Sequence, residues 1–167
     1  MALSKWTFKA PDAAEKQITA PHVWSKAVGT AIYTTSIDLS SGSLPTRLVM
    51  NSSKLQTPAR SARRGQSFEA HAADPLGVVA AVSINGEAAG VFWDPPYTLD
   101  VSSFLRQGNN TIEIAVSTTS IPHMRKAEWK QIWDDAHAHH GRRFVMQEIE
   151  YAAEETDSGL LVVPELR

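Results

Sequence analysis

Of the six histidines in this 167-residue chain, four lie between positions 123 and 140. Imidazole changes charge near neutrality, so such residues are natural proton carriers. His71, His123 and His137, with the phenol of Tyr151, are the general acid–base candidates if the chain is a small stand-alone enzyme such as a lyase, isomerase or cyclase. The cluster His137, His139 and His140 also raises the question of a metal. On a helix His137 and His140 are neighbours at i, i+3, whereas His139 points elsewhere; His123, Asp134 and Asp135 lie near enough to contribute. A zinc site needs three or four converging ligands with partners behind them. A solvated cluster interacting with a helix dipole accounts for the same residues, so no metal and no other cofactor is expected.

Other chemistries find less. Paired carboxylates at a set separation would serve glycosidic hydrolysis. Glu148 and Glu150 share one face of an expected strand, on the solvent side, and Glu113 lies opposite an apolar face. No pair stands out. There is no cysteine, hence no disulfide and no thiol nucleophile, and no nucleophile-elbow motif. Arg60, Arg63 and Arg64 sit in an aperiodic stretch, 52–66, that reads as an exposed loop, either functional or simply a solvated basic segment.

The elements that must position these residues are mostly strands. The length predicts one domain, 1–167, with material for a core. Hydrophobic residues make up 43% and charged residues 20%, and the net charge is −2. That balance lacks the basic stripe of a nucleic-acid binder. No run is long enough to span a membrane, and no signal peptide is present, which leaves localisation open. From Thr30 to Leu39, Ala31, Tyr33, Thr35, Ile37 and Leu39 alternate with Ile32, Thr34, Ser36 and Asp38, the period of a half-buried strand. A short strand is expected at Arg47–Asn51. Val78–Ile84 and Ala88–Trp93 flank Asn85-Gly86, the strongest short hairpin signal. Asp94-Pro95-Pro96 ends that strand, with a cis bond among the options. Tyr97, Leu99 and Val101 alternate next, and Ile112, Ile114 and Val116 follow the turn at Gly108-Asn109-Asn110. Between Met124 and His140 the period changes: Trp129, Ile132, Trp133 and Ala136 form the stripe of an amphipathic helix that pins to the sheet, stopped by Gly141. Phe144–Tyr151 and a closing Leu160–Val163 complete the strands. Seven or more short strands and one late helix predict an all-β, antiparallel β-sandwich with a helix inserted near 124–140.

Residues 78–116 carry a resemblance. Ile84, Asn85, Gly86, Gly90, Trp93, Pro95, Pro96, Tyr97, Asp100, Val101, Ser102, Leu105, Gly108 and Asn110 stand in the order and spacing of a known domain. The stretch resembles the galactose-binding-like jelly roll of family 2 glycosidases, and more closely the C-terminal β domain of large bacterial α-L-rhamnosidase-like enzymes. Ser158-Gly159-Leu160-Leu161 is similar to the start of that domain's closing strand but departs from it at Val162-Val163. The resemblance implies a jelly roll and an accessory role beside a glycosidase. Physically, its residues serve turns: Asn85-Gly86 closes a hairpin, Asp100 caps the turn at Val101–Ser103, and Gly108 supplies a left-handed residue.

Given the resemblance, the expected function is a non-catalytic carbohydrate-binding or accessory module whose partners are a carbohydrate or a glycosidase catalytic domain. Sugar recognition needs an aromatic face and a few planar polar groups. Trp93 and Asp94, at a strand end, are the first candidates for ligand binding; the structural alternative places Trp93 in the core or against Pro95-Pro96. His123 and Arg125 after the last long strand, and Arg63 in its loop, are the others. Trp6 and Trp24 are too isolated to assign. A third reading is an oligomerisation or interaction domain using exposed sheet edges, a possible homo-oligomer. The chain begins with Met, as an independent protein would; an excised module is the other reading.

Overall fold

A computed structural model describes residues 1–11, 13–19, 29–51, 76, 79–118, 135, 138, 139 and 159–167. The described residues form nine strands: β1 (Trp6–Ala10), β2 (Ala13–Ile18), β3 (Thr30–Asp38), β4 (Arg47–Val49), β5 (Val79–Ile84), β6 (Glu87–Phe92), β7 (Thr98–Asp100), β8 (Asn109–Ser117) and β9 (Glu165–Leu166). A six-stranded sheet runs β2-β1-β3-β8-β5-β6, and a three-stranded sheet runs β7-β4-β9. Every described strand pair is antiparallel.

The alternation within strands becomes cross-strand rows in the large sheet. Trp6, Thr35, Ile112 and Ile84 stand level, as do Phe8, Tyr33, Ile114 and Val82 in the next row. Ala31, Val116, Ala80 and Phe92 make a third. All twelve side chains are buried. All but Thr35 share one apolar cluster with Leu48, Val101 and Leu166 from the side of the small sheet. Burial of such rows, at about 25 cal/mol per Å² of apolar surface, is the main force holding the two sheets together. Phe8 and Tyr33 meet ring to ring at 5.0 Å between centroids.

The turns follow local chemistry. Asn85 and Gly86 have φ of 54° and 84°, as a two-residue hairpin of the mirror-image type requires. A bulge between Val82 and Ser83 shifts the β5–β6 register, a common device on edge strands. Asp100 accepts from the Ser102 backbone N–H at 3.0 Å and from its hydroxyl at 2.6 Å. Those two bonds, the hydroxyl's first, hold its carboxyl below the usual carboxylate range. The peptide between Pro95 and Pro96 is cis.

Several expectations are corrected. β1 and β2 precede Thr30, where alternation gives no strand, and Trp6 is a fully buried core residue. The closing strand is Glu165–Leu166, not Leu160–Val163. Leu160 instead makes a single bridge to Leu76, and its N–H donates to the Tyr33 hydroxyl at 3.3 Å. The short β9 pairs with β4, and the N-terminus zips onto it. Ala2 bridges Glu165, Leu3 N–H donates to the Pro164 carbonyl at 3.1 Å, and the Met1 amine donates to the Leu166 carbonyl at 2.6 Å. Of the expected helix, Asp135, Ala138 and His139 have helical backbone; the rest of 124–140, and the expected strand Phe144–Tyr151, lie outside the described residues. Among the described residues no helix is long and apolar enough to cross a membrane.

Candidate functional site

Strand parity decides where Trp93 points. Phe92 is buried opposite Ala80, so the residues on either side of it turn outward. Val91 is 48% exposed and Trp93 is 73% exposed. Trp93 is therefore a surface residue, not part of the core. Asp94 beside it is exposed as well.

The register then shows what lies beside the indole. Val91 pairs with Ala81, Ala81 with Ala115, and Ala115 with Ile32. These four make an apolar row across the outer face of four strands, ended by Lys9 on β1. One step further along the strands, Val79 pairs with Ser117 and Ser117 with Thr30. Continuing the β5–β6 register by one residue puts Trp93 level with Val79. The Thr30 and Ser117 hydroxyls bond each other at 2.9 Å. The surface thus has an exposed aromatic face at one end, a small-residue floor, and a pair of hydroxyls at the other. Glu113, two residues before Ala115, lies half-buried on the same outer face, opposite Thr34 and Ser83.

Tyr33 and Asp100 are titratable groups that depart clearly from their ordinary values. Burial pushes the Tyr33 phenol up to about 12, against the pull of the Leu160 N–H; it stands in the core. The other is Asp100, whose carboxyl is engaged by Ser102 in a turn. Neither faces the Trp93 surface. Among the described residues there is no group of three or more His, Cys, Asp or Glu placed to hold a metal. His139 is exposed, with Nδ1 2.9 Å from the Asp135 carbonyl one turn earlier.

The structure places Trp93 and Asp94 side by side at the end of β6. Arg63, His71, His123, Arg125, His137, His140 and Tyr151, and also Trp24, Trp129, Trp133, Asp134, Glu148 and Glu150, lie outside the described residues. Val79, Ala81, Val91, Ser117 and Thr30 were not singled out from the sequence. The Asn85-Gly86 hairpin alone would set Val91 opposite Ala80; the bulge between Val82 and Ser83 shifts the register so that Val91 pairs with Ala81, which alternation in the sequence does not reveal.

No family model matches the chain, and no curated protein matches it. Solved structures do. A rhamnosidase from Novosphingobium sp. PP1Y is similar over 97% of this chain and 14% of its own length, with a TM-score of 0.57 at 18% identity. A β-glucuronidase from Bacteroides uniformis matches 70% of the chain and 14% of its own, with a TM-score of 0.49 at 17% identity. An FMN-binding β-glucuronidase from Facaelibacterium prausnitzii L2-6 matches 71% and 18%, with a TM-score of 0.49 at 19% identity. The chain spans only 14 to 18% of the length of these three proteins. What it shares with the rhamnosidase is the fold of one part of a much larger chain.

Proposed function

We propose that the chain is a non-catalytic, carbohydrate-associated module, a single jelly-roll domain of the galactose-binding type that works beside a glycoside hydrolase catalytic domain. The observation that carries the sugar-binding part is Trp93, 73% exposed one residue past a buried Phe92. The indole shares the outer face of the sheet with Val91, also exposed, so that the two form an apolar patch open to a ligand. Its face suits the C–H side of a pyranose, and the Asp94 carboxylate accepts from ring hydroxyls. The similarity to part of a rhamnosidase supports attachment to a catalytic domain. Arg63, His123 and Arg125 remain further candidates for hydroxyl contacts.

Calorimetric titration of the chain with neutral sugars tests the reading. Binding in the millimolar to micromolar range is expected for a small stacked contact, of the order of −4 to −8 kcal/mol. Trp93→Ala should weaken it about tenfold or more with an unchanged melting temperature, since the side chain supports nothing buried. Absence of binding across a glycan panel overturns the sugar-binding reading.

A further inference from the structure

We propose that the Trp93 surface takes a neutral oligosaccharide of at least two rings laid across the strands, in preference to a single terminal sugar or an acidic one. The proposal rests on the sugar-binding reading above and adds the length, direction and charge of the ligand.

Length and direction come from the register. Trp93, Val79, Ser117 and Thr30 belong to β6's end, β5, β8 and β3, four successive positions across the sheet. Neighbouring strands lie about 4.8 Å apart, so the row extends about 14 Å. That is more than one pyranose stacked on the indole covers. The far end is not apolar. Thr30 and Ser117 share one proton in their 2.9 Å bond, which leaves the pair a free O–H donor and spare lone pairs. Sugar hydroxyls present the same mixture of donor and acceptor. Between the two ends Val79 and Ala81 offer a floor without bulk, so a second ring can pass over it.

Charge sets the class. The two outer rows, Trp93–Val79–Ser117–Thr30 and Val91–Ala81–Ala115–Ile32, contain no ionisable residue, and among the described residues the cation in register with them is Lys9 on the next strand. Among the described residues the carboxylates at hand are Asp94, beside the indole, and Glu113 on the same face. Like charges disfavour a uronate here, by a modest amount at physiological salt. The surface is also small for a protein partner. Val91 and Trp93 are its only large exposed hydrophobic side chains among the described residues, whereas a stable protein interface buries about 800 Å² per side.

The test titrates the full chain with glucose, galactose and mannose, the di- and trisaccharides of each series, and glucuronate. Affinity should rise about tenfold from mono- to trisaccharide in the preferred series, and glucuronate should bind more weakly than glucose. The double variant Thr30→Val/Ser117→Val, in which valine suits both strands, should lower trisaccharide affinity to the monosaccharide level and leave the monosaccharide untouched. Equal affinity for one and three rings, a double variant without effect, or preference for glucuronate overturns the proposal while the sugar-binding reading stands. No binding in any series overturns both. Circular dichroism melting of each variant separates loss of fold from loss of contact.

Discussion

Asn85 donates through Nδ2 to the side-chain oxygen of Asn110 at 2.9 Å. Through these two amides the β5–β6 hairpin is fastened to the turn that opens β8. Asn85 also donates to the Phe104 carbonyl at 2.9 Å, and its Oδ1 accepts from the Thr111 N–H at 3.1 Å. Asn110, fully buried, donates to the carbonyls of Arg106 at 2.7 Å and Gly108 at 2.9 Å, and its Oδ1 also accepts from the Arg106 N–H at 2.9 Å. Both amides therefore use their full donor capacity, and a satisfied buried network specifies one arrangement.

Replacing Asn110 by alanine removes the side-chain partner of the Arg106 N–H and carbonyl and of one Asn85 amide proton, while the Gly108 carbonyl keeps the Leu39 N–H at 2.8 Å. The expected loss is about 2–4 kcal/mol by urea denaturation. Asn110→Asp keeps the shape but cannot donate while ionised, so its carboxylate faces two carbonyls and its pKa is raised. That variant should be less stable than wild type at neutral pH and recover as pH falls and the acid becomes a donor. A pH-independent deficit would contradict this account. Asn85→Gly keeps the left-handed backbone and removes only the side chain; combined with Asn110→Ala it should show a coupling energy above about 0.5 kcal/mol.

Gly90 has φ of +152°, and a Cβ there would lie 3.0 Å from Leu99 Cδ2. Two penalties meet at one position: a backbone conformation that side chains rarely adopt and a contact with the residue facing it from β7. Gly90→Ala should cost about 1–3 kcal/mol. Adding Leu99→Val should return only part of that, because the backbone penalty survives when the contact is relieved. Full rescue by the second substitution would show that the contact alone matters.

The Nε1 of Trp6 is buried and has no hydrogen-bond partner among the described residues. An unsatisfied buried donor costs about 1–3 kcal/mol, so Trp6→Phe trades that penalty against some lost packing. Its net effect on the denaturation midpoint should be within about 1 kcal/mol, whereas Trp6→Ala should cost about 3–5 kcal/mol through the cavity. A large loss for Trp6→Phe would show that the indole's volume outweighs its stranded donor.

Legibility in the sequence followed how each element is buried. β3 and β8 read cleanly because each buries one face of a long run: Ala31, Tyr33 and Thr35 in one, Ile112, Ile114 and Val116 in the other. β1 buries Trp6, Phe8 and Ala10, but three apolar positions are a short signal. Its partner β2, AAEKQI, carries Glu15 and Lys16 exposed on a sheet edge and shows no alternation. The run Leu160–Val163 looked like a strand because it is apolar, yet pairing with β4 falls two residues beyond Val163. Motif residues explain turns well, as at Asn85, Asp100 and Gly108. Trp93 was legible as a candidate but not as exposed, since a tryptophan before two prolines is equally read as core. Thr30 and Ser117 were invisible, because only the β3–β8 register makes two distant hydroxyls neighbours.

Tyr33 offers a pH test of the core. Its hydroxyl, buried between the sheets, accepts from Leu160 N–H at 3.3 Å, and burial raises its pKa from 10.0 to about 12. The unfolded chain releases this proton near pH 10 while the folded chain holds it until about 12. The corresponding stability is therefore fully present below pH 10 and is lost as pH rises through the folded value. Tyr33→Phe removes both the hydroxyl and this dependence. At neutral pH it should be less stable than wild type by about 1–2 kcal/mol, because the Leu160 N–H loses its acceptor. The deficit should shrink as pH climbs from 10 toward 12, since only the wild type has a phenol to ionise there. Paired urea titrations across that range read the difference directly, and background titration of lysines and the other tyrosines cancels between the two proteins. A gap that stays constant with pH would mean that the phenol ionises without unfolding the core.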